Sequence, residues 1–136
     1  MIIAIPPEDI SRVWDQVGPM LQLALDKGNG IYELPDVKKE LESGDNILLA
    51  AVKDKEIQAV FTLTTLEYPR KKVLSIFLVG GSGMEEWEEE IMDTIHAIAK
   101  KQGADSVFSN GRDGWTRKMK KYGYHKVCTI LERAVL

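Results

Sequence analysis

The chain contains one nearly continuous apolar run, VLSIFLV, which spans residues 73–79 and is interrupted only by Ser75. A run without alternating polar residues is typical of a β-strand that is covered on both faces. Glycines follow at positions 80, 81 and 83, and apolar residues then recur at helical spacing: Met84, Trp87, Ile91, Ile95 and Ile98. The segment therefore predicts a buried central strand, a glycine loop over residues 80–84, and a long helix that begins near Glu85 and stops at Gly103.

The glycine loop has two interpretations. Glycine permits positive φ and close backbone approach, and the first turn of a helix exposes N–H groups that have no intrahelical partner. Together these features outline an anion-binding site. The alternative is a tight turn that binds nothing. Trp87 and Trp115 likewise fit helix packing or a cofactor platform, and packing is the more common role.

Segments before this unit predict a mixed architecture. Residues 2–5 fit a short strand, residues 10–25 a helix that is kinked or split at Gly18 and Pro19, and residues 35–44 a second helix. The strand-like runs 46–53 and 56–66 are separated only by Asp54 and Lys55, which predicts an antiparallel hairpin. After the long helix we expect a strand at 105–109, a basic helix at 115–122, and a final strand or bent pair over 124–135. The element order is that of an α/β (α+β) fold with helices on both faces of the sheet.

Composition limits the class of protein. The 136 residues are 44% hydrophobic and 29% charged with a net charge of −3, which suits one globular domain over residues 1–136 and argues against nucleic-acid binding on electrostatic grounds. A single cysteine, Cys128, excludes an internal disulfide, and with two histidines it predicts no structural metal site. The N-terminus lacks the pattern of a signal peptide or membrane span, so we expect a cytoplasmic location.

The element order, the motif VGGSGM after the central strand and the motif KYGY after the short helix resemble the GNAT N-acetyltransferase fold, with a mixed, mostly antiparallel sheet. The segments PRKKVL, LVGGSGMEEW and KKYGY are similar to small GNAT-like proteins encoded by tailed bacteriophages. The resemblance implies acetyl-coenzyme A as cofactor. It places the cofactor-binding residues at Leu78, Val79, Gly80, Gly81, Ser82, Gly83 and Met84.

Three positions depart from the family pattern. Leu78 stands where the family usually has a glutamine or arginine that caps the loop, Met119 where it often has a catalytic tyrosine, and Arg112 where an asparagine is common. A thioether cannot donate a proton. Five glutamates also crowd the start of the long helix, where they stabilise the helix dipole but oppose a bound polyanion: Glu85, Glu86, Glu88, Glu89 and Glu90. Any binding of acetyl-coenzyme A is therefore expected to be weak.

The resemblance also implies candidate catalytic residues. Glu67 lies where a general base could act, and Tyr122 or Ser109 could fill the role that Met119 cannot. One local concentration of basic residues could contact the ribose phosphate of coenzyme A or an acidic partner, or could simply be a solvated face: Arg112, Arg117, Lys118, Lys120, Lys121 and Lys126.

Two functions remain open from sequence. The first is an acyl-coenzyme A-dependent N-acyltransferase acting on an unidentified amine. The second is a GNAT-fold protein without catalytic activity that binds other proteins, for instance other phage proteins in a virion. Fold alone does not separate these functions.

Overall fold

The computed structural model describes residues 1–111 and 113–135. Within these residues, five strands form one sheet in the order β1-β2-β3-β4-β5. The strands are β1 (Ile2–Ile5), β2 (Asn46–Lys53), β3 (Glu56–Tyr68), β4 (Lys71–Gly81) and β5 (Ser106–Ser109). The helices are α1 (Ile10–Asp26), α2 (Leu34–Ser43), α3 (Met84–Gln102) and α4 (Asp113–Met119), with short 3-10 segments at Pro7–Asp9 and Lys120–Tyr122.

The sheet is mostly antiparallel, as expected. Strands β1 to β4 pair antiparallel in sequence order, and β5 pairs parallel with β4. The tight turn between β2 and β3 uses Asp54 and Lys55, both with positive φ (52° and 66°). This conformation matches the right-handed twist of the two strands even though neither residue is glycine. The predicted hairpin is therefore confirmed, with a left-handed turn.

Helices cover both faces of the sheet. On one face, α1 and α2 pack on the sheet with buried Val17, Leu21 and Leu41. On the other, α3 packs through Trp87, Ile91 and Ile95, and Met119 at the end of α4 joins the same core. Burial on both faces explains the continuous apolar run of β4, because each face meets a helical layer. Within the described residues, no helix combines the length and apolarity needed to cross a bilayer.

Three sequence predictions are wrong in detail. α1 is one continuous helix through Pro19, so the alternative of two abutting helices is wrong; the residue is on the exposed side, where the carbonyl that loses its partner can be hydrated. β4 continues to Gly81, so the predicted loop over residues 80–84 shrinks to Ser82 and Gly83. Finally, residues 124–135 form neither a strand nor a bent pair. No described strand forms a ladder of backbone hydrogen bonds with them.

Candidate functional site

The C-terminal half of β4 carries a β-bulge. Leu63 of β3 faces Ile76, and Phe61 faces Val79, so two residues of β4 stand opposite Thr62 alone. The Thr62 hydroxyl, which is buried, accepts a hydrogen bond from the Leu78 N–H at 3.0 Å. A bulge interrupts the regular ladder and changes the direction of backbone groups, and such features occur often beside binding sites.

Strand β4 loses its neighbour β5 at the same point. The parallel pairing joins Val73 to Ser106 and ends where Ile76 faces Ser109. The Asn110 N–H then reaches the Ile76 carbonyl at 3.5 Å. Beyond it, residues 77–81 of β4 have no strand partner on the β5 side in the described part of the chain. This leaves a strand edge whose backbone groups can bind an extended ligand.

Two glycines at the end of β4 are required by packing. A Cβ on Gly80 would collide with the Met20 carbonyl oxygen of α1, and one on Gly81, whose φ is 105°, would collide with the Gln58 carbonyl oxygen of β3. The Ser82 N–H also donates to that Gln58 oxygen, at 3.0 Å. The glycine pattern is therefore explained by close backbone approach and is not by itself evidence of a phosphate site.

The N-terminus of α3 keeps the properties of an anion site. Gly83 precedes the helix with a φ of 70°, and its carbonyl accepts the Glu86 N–H at 3.0 Å, which leaves the N–H groups of Met84 and Glu85 at the start of the helix for a ligand. The indole N–H of Trp87, whose side chain is buried, makes no hydrogen bond with any described residue. Its Nε1 lies 3.9 Å from where a Cβ on Gly83 would stand. A buried unsatisfied donor beneath a helix N-terminus is unfavourable unless an acceptor arrives, and this favours an anionic ligand.

Several of the crowded glutamates have cationic partners. The Glu86 carboxylate lies 3.0 Å from Lys53 of β2. Glu90 accepts the Ile2 N–H at 3.2 Å and lies 3.8 Å from the terminal amine of Met1. These contacts tie α3 to the β1 and β2 side of the sheet. Because Glu86 and Glu90 are paired with cationic groups, the cluster repels an anion less than five free carboxylates would.

Glu88 is the exception, because it is buried. Only 4% of the residue is exposed, and its Oε2 lies 3.1 Å from Lys121 while its Oε1 lies 3.4 Å from Lys118, an ion pair without hydrogen-bond geometry. Burial would raise the pKa of the Glu88 carboxyl, but hydrogen bonds from Lys121 and Tyr122 and the charge of Lys118 outweigh it and hold the pKa below its usual value. Glu88 thus fixes the basic segment against the first turns of α3.

Tyr122, one of the predicted catalytic residues, belongs to this cluster. Burial and then its interaction with Glu88 raise the pKa of the Tyr122 hydroxyl. A phenol with a raised pKa stays protonated at neutral pH, but it gives up its proton less readily than an ordinary tyrosine. Lys121 also lies over the Tyr122 ring, 5.2 Å from its centroid.

A second feature lies on the α1 and α2 side of the bulge. The Tyr32 ring packs against Phe77 with a centroid distance of 4.7 Å and an interplanar angle of 61°. Beside it is an open depression of about 390 Å³ whose lining includes Tyr32, Asp36 and Glu40. Carboxylates at such a depression favour cationic groups.

Comparison with known proteins gives structural relatives only. No family model matches the chain, and no curated protein matches it. A probable acetyltransferase superposes with a TM-score of 0.75 at 11% identity, covering 100% of this chain and 97% of its own. A predicted acetyltransferase from Clostridium acetobutylicum, solved with acetyl-CoA, gives 0.72 at 14% identity over 98% and 95%. A GCN5-related N-acetyltransferase from Ralstonia eutropha gives 0.73 at 11% identity over 98% and 97%. The chain has the GNAT fold.

Some of the residues predicted from the sequence lie together at the candidate site, and others are buried in the core. Val79 to Met84 lie together at the end of β4 and the start of α3, whereas the Leu78 side chain is buried in the core under α1 and α2. Met119 is buried, 2% exposed, in the core under α3. Ser109 accepts a hydrogen bond from the Trp115 indole N–H.

Glu67 belongs to β3 and lies opposite the N-terminal end of β4. Its side chain is 75% exposed and 4.0 Å from Lys72, the residue it faces across the hairpin. Along β4, Lys72 and Leu78 are separated by about 20 Å, at roughly 3.3 Å per residue. The role of Glu67 as a base stays a prediction that requires the amine to bind at that end. Arg112 lies outside the described residues.

Sequence reasoning named Trp87 as a packing residue or a cofactor platform and Glu88 as one of five crowded glutamates, but it did not predict the burial of Glu88 or the bulge at Phe77. A signal for Glu88 exists, because it lies four residues after Met84 and three before Ile91 and so on the apolar stripe of α3. A carboxylate on that stripe is buried with the core and needs a partner. No sequence signal marks the bulge.

Proposed function

We propose that this protein is an N-acyltransferase that uses acyl-coenzyme A and binds it along the C-terminal half of β4. The observation that carries the proposal is the combination of the open edge over residues 77–81 with the N-terminus of α3 that follows it. An extended ligand with amide groups can pair with a strand edge, and an anionic group at its end suits a helix N-terminus.

The residues at this site suit both parts of coenzyme A. Its amide-containing arm would lie along residues 77–81, and its pyrophosphate would accept hydrogen bonds from the N–H groups of Met84 and Glu85 and from the unsatisfied indole N–H of Trp87. Lys118 and Lys121, which Glu88 holds beside the first turns of α3, add positive charge. The cap side chain of the family is replaced by the buried Leu78, so affinity is expected to be modest.

The proposed reaction is direct attack of an amine nitrogen on the thioester carbonyl carbon. A C–N bond forms, the C–S bond breaks, the amine loses a proton and the departing thiolate gains one. Catalysis would rest mostly on holding the two reactants together. Tyr122 is the proposed proton donor to the thiolate, because its phenol is protonated at neutral pH, although its raised pKa makes it a weaker acid than an ordinary tyrosine.

The amine is proposed to approach from the depression beside Tyr32. Tyr32 packs on Phe77 at the bulge, and the carboxylates of Asp36 and Glu40 line the same depression. A protonated amine would be attracted there before it loses its proton. A base must lie within hydrogen-bond reach of the attacking amine or one water away, so the predicted role of Glu67, which faces Lys72, would require a different approach of the amine to the thioester.

A calorimetric titration with acetyl-coenzyme A tests this function. Ser82 is exposed at the helix N-terminus, so Ser82→Asp adds a charge where the pyrophosphate would bind without disturbing the core. Ser82→Asn is the matched neutral control. We expect Ser82→Asp to weaken binding by about tenfold and Ser82→Asn by much less, because like charges at close range cost about 1–2 kcal/mol near a surface. Equal effects of the two substitutions would contradict the assigned site.

A second candidate function is a GNAT-fold interaction protein without activity. Its support is the burial of Leu78 and Met119, which removes both side chains from the positions where the family pattern would use them. Such a protein would bind other proteins, for instance as part of a phage particle or in a host cytoplasm. Absence of acetyl-coenzyme A binding by the wild-type chain in the same titration would favour this candidate.

A further inference from the structure

A narrow cleft lies between the end of α1, the loop that follows it and the bulge of β4. Its volume is about 40 Å³, which is room for about three water-sized groups. Within the described chain, none of its lining residues carries a charge. Six of them contribute apolar side-chain surface: Ala24, Leu25, Ile31, Tyr32, Phe77 and Leu78. The cleft therefore suits the end of an unbranched carbon chain and is too small for a substituted ring.

The cleft opens onto the depression beside Tyr32, because Ile31 and Tyr32 line both. At about 390 Å³ the depression is much larger, and three carboxylates and one ammonium line it: Asp36, Glu40, Asp45 and Lys39. Its lining thus carries a net charge of −2, whereas the lining of the cleft is uncharged. A cationic group is favoured in the depression and a neutral group in the cleft.

Two of the carboxylates are held in position by hydrogen bonds. Asp36 accepts the Glu33 N–H at 2.9 Å, and Glu40 accepts the side-chain amide of the buried Asn46 at 2.6 Å. Asp36 and Glu40 both lie on α2, four residues apart and so on one face of the helix. Side chains that are already fixed lose little conformational freedom when a cation binds. The charged end of the site is therefore preorganised.

The two cavities favour opposite protonation states of an amine. An amine must be neutral to attack a thioester, since an ammonium has no lone pair. An apolar cleft disfavours the charged form and so lowers the pKa of an amine that enters it. The carboxylates of the depression favour the charged form. A ligand with one nitrogen uses only one of these environments, whereas a ligand with two nitrogens on one carbon chain uses both.

We propose that the acyl acceptor is an unbranched aliphatic diamine, an inference that rests on the proposed N-acyltransferase function. One amine leaves a proton in bulk water and enters the cleft, while the other stays an ammonium among the carboxylates of the depression. Phe77 lines the cleft and belongs to the strand edge along which acyl-coenzyme A would lie. There the neutral nitrogen attacks the thioester carbonyl, a C–N bond forms, the C–S bond breaks, and the surplus proton of the nitrogen passes to the departing thiolate. The products are a mono-N-acylated diamine and coenzyme A.

Acetyl transfer to two matched amines gives the first test. The probes are cadaverine, a five-carbon chain with an amine at each end, and pentylamine, which lacks one of the amines. The product is measured by mass spectrometry, because Cys128 is exposed and would react with thiol reagents. We expect kcat/KM for cadaverine to exceed that for pentylamine by about tenfold or more, because pentylamine also binds unproductively with its ammonium in the depression and its tail in the cleft. The advantage should shrink at high salt, which screens exposed charges.

The double variant Glu40→Gln, Asp45→Asn tests the charged end of the site. It removes two carboxylates, and the new amide oxygen at position 40 can still accept the hydrogen bond from Asn46. We expect kcat/KM for cadaverine to fall about tenfold, mainly through KM, because each exposed ion pair contributes a few-fold. The kcat/KM for pentylamine should not fall. The matched control is Glu42→Gln, Asp54→Asn, which removes two charges outside the depression and should change neither rate.

The variant Ala24→Leu tests the cleft. Ala24 is partly buried and lines the cleft, so a larger side chain there should block the approach of the neutral amine. We expect transfer to cadaverine to fall by about tenfold or more while the folded form keeps its affinity for acetyl-coenzyme A. Ala24→Ser, which adds a single heavy atom, is the matched control and should retain most of the activity. Undiminished transfer in Ala24→Leu would contradict the assigned cleft.

Calorimetric titration with acetyl-coenzyme A distinguishes failure of the acceptor from failure of the proposed function. If the chain binds the cofactor but acetylates pentylamine as well as cadaverine, or acetylates neither, the diamine acceptor is overturned while the cofactor site stands. Faster acetylation of a lysine-containing peptide than of cadaverine likewise overturns it. If the chain binds no acetyl-coenzyme A, the proposed function fails, and the diamine acceptor fails with it.

Discussion

The Glu88 carboxylate of α3 lies 3.1 Å from the Lys121 ammonium, and Glu88 is buried, with 4% of the residue exposed. This pair joins the helix that follows the proposed cofactor edge to the segment that carries Tyr122. Lys121 is 61% exposed at its side chain, so water stabilises one partner while the other is buried. The carboxylate is thus the member of the pair that depends on the contact, because a buried unpaired charge is costly.

Replacing Glu88 by Gln should destabilise the protein. The substitution keeps the size of the side chain but removes the charge that Lys118 and Lys121 contact. We expect a loss of about 1–2 kcal/mol in the free energy of unfolding, measured by denaturant titration at neutral pH. Glu89→Gln is the matched control, because Glu89 is the next residue of the same helix and is exposed. A loss as large in Glu89→Gln would mean that the helix dipole, and not the buried cluster, is responsible.

The stabilisation from Glu88 should depend on pH in a defined direction. Because contacts with Lys121, Tyr122 and Lys118 hold the pKa of Glu88 below its usual value against the opposing effect of burial, the ionised carboxylate favours the folded state. The difference in unfolding free energy between wild type and Glu88→Gln should be constant above about pH 5 and should shrink as the pH falls below about 4. Denaturant titrations from pH 7 to about pH 3 measure it. A difference that persists unchanged at the acid end would contradict an electrostatic origin.

Gly80 should be intolerant of a side chain for packing reasons. A Cβ there meets the Met20 carbonyl oxygen, which belongs to the backbone of α1 and cannot rotate away. We expect Gly80→Ala to reduce the free energy of unfolding by about 1–3 kcal/mol, as overpacked cores do. Gly114→Ala is the control, since no atom lies within 4 Å of its added Cβ. If Gly80→Ala weakened only cofactor binding and left stability unchanged, the glycine would serve the ligand instead.

Much of the fold follows from local patterns in the sequence. The apolar run of β4 predicts a strand that is covered on both faces, and the apolar stripe of α3 predicts a helix with one buried face. The two burial patterns differ in the spacing of their apolar residues, so they can be distinguished in the sequence. The hairpin at Asp54 and Lys55 was predictable from the spacing of two strand-like runs. Its left-handed turn was not, since lysine rarely adopts positive φ and the pairing of β2 with β3 imposes it on Lys55.

The site was harder to predict than the fold. The bulge at Phe77 depends on how β3 and β4 are aligned, and that alignment includes a buried hydrogen bond between Leu78 and Thr62. Neither strand carries that information alone. The glycines at 80 and 81 were visible in sequence, but their reason lies in backbone atoms of α1 and β3 that are distant along the chain. The apparent strand at residues 124–135 has no partner within the described chain, so local propensity overestimated it.

The indole N–H of Trp87 gives the most direct test of ligand binding at the start of α3. Trp87→Phe removes this donor and retains an aromatic ring, and the donor has no partner among the described residues. The variant should lose some free energy of unfolding, because the smaller ring leaves part of the core unfilled, and its folded form should bind acetyl-coenzyme A about ten- to hundredfold more weakly, the effect of one hydrogen bond to a charged acceptor. Trp115→Phe is the matched control, because the Trp115 indole N–H already donates to Ser109. That variant should have a lower free energy of unfolding, and its folded form should bind acetyl-coenzyme A with the wild-type affinity. Calorimetric titration and denaturant unfolding of both variants separate the two roles, and an unchanged affinity in Trp87→Phe would exclude Trp87 from the binding site.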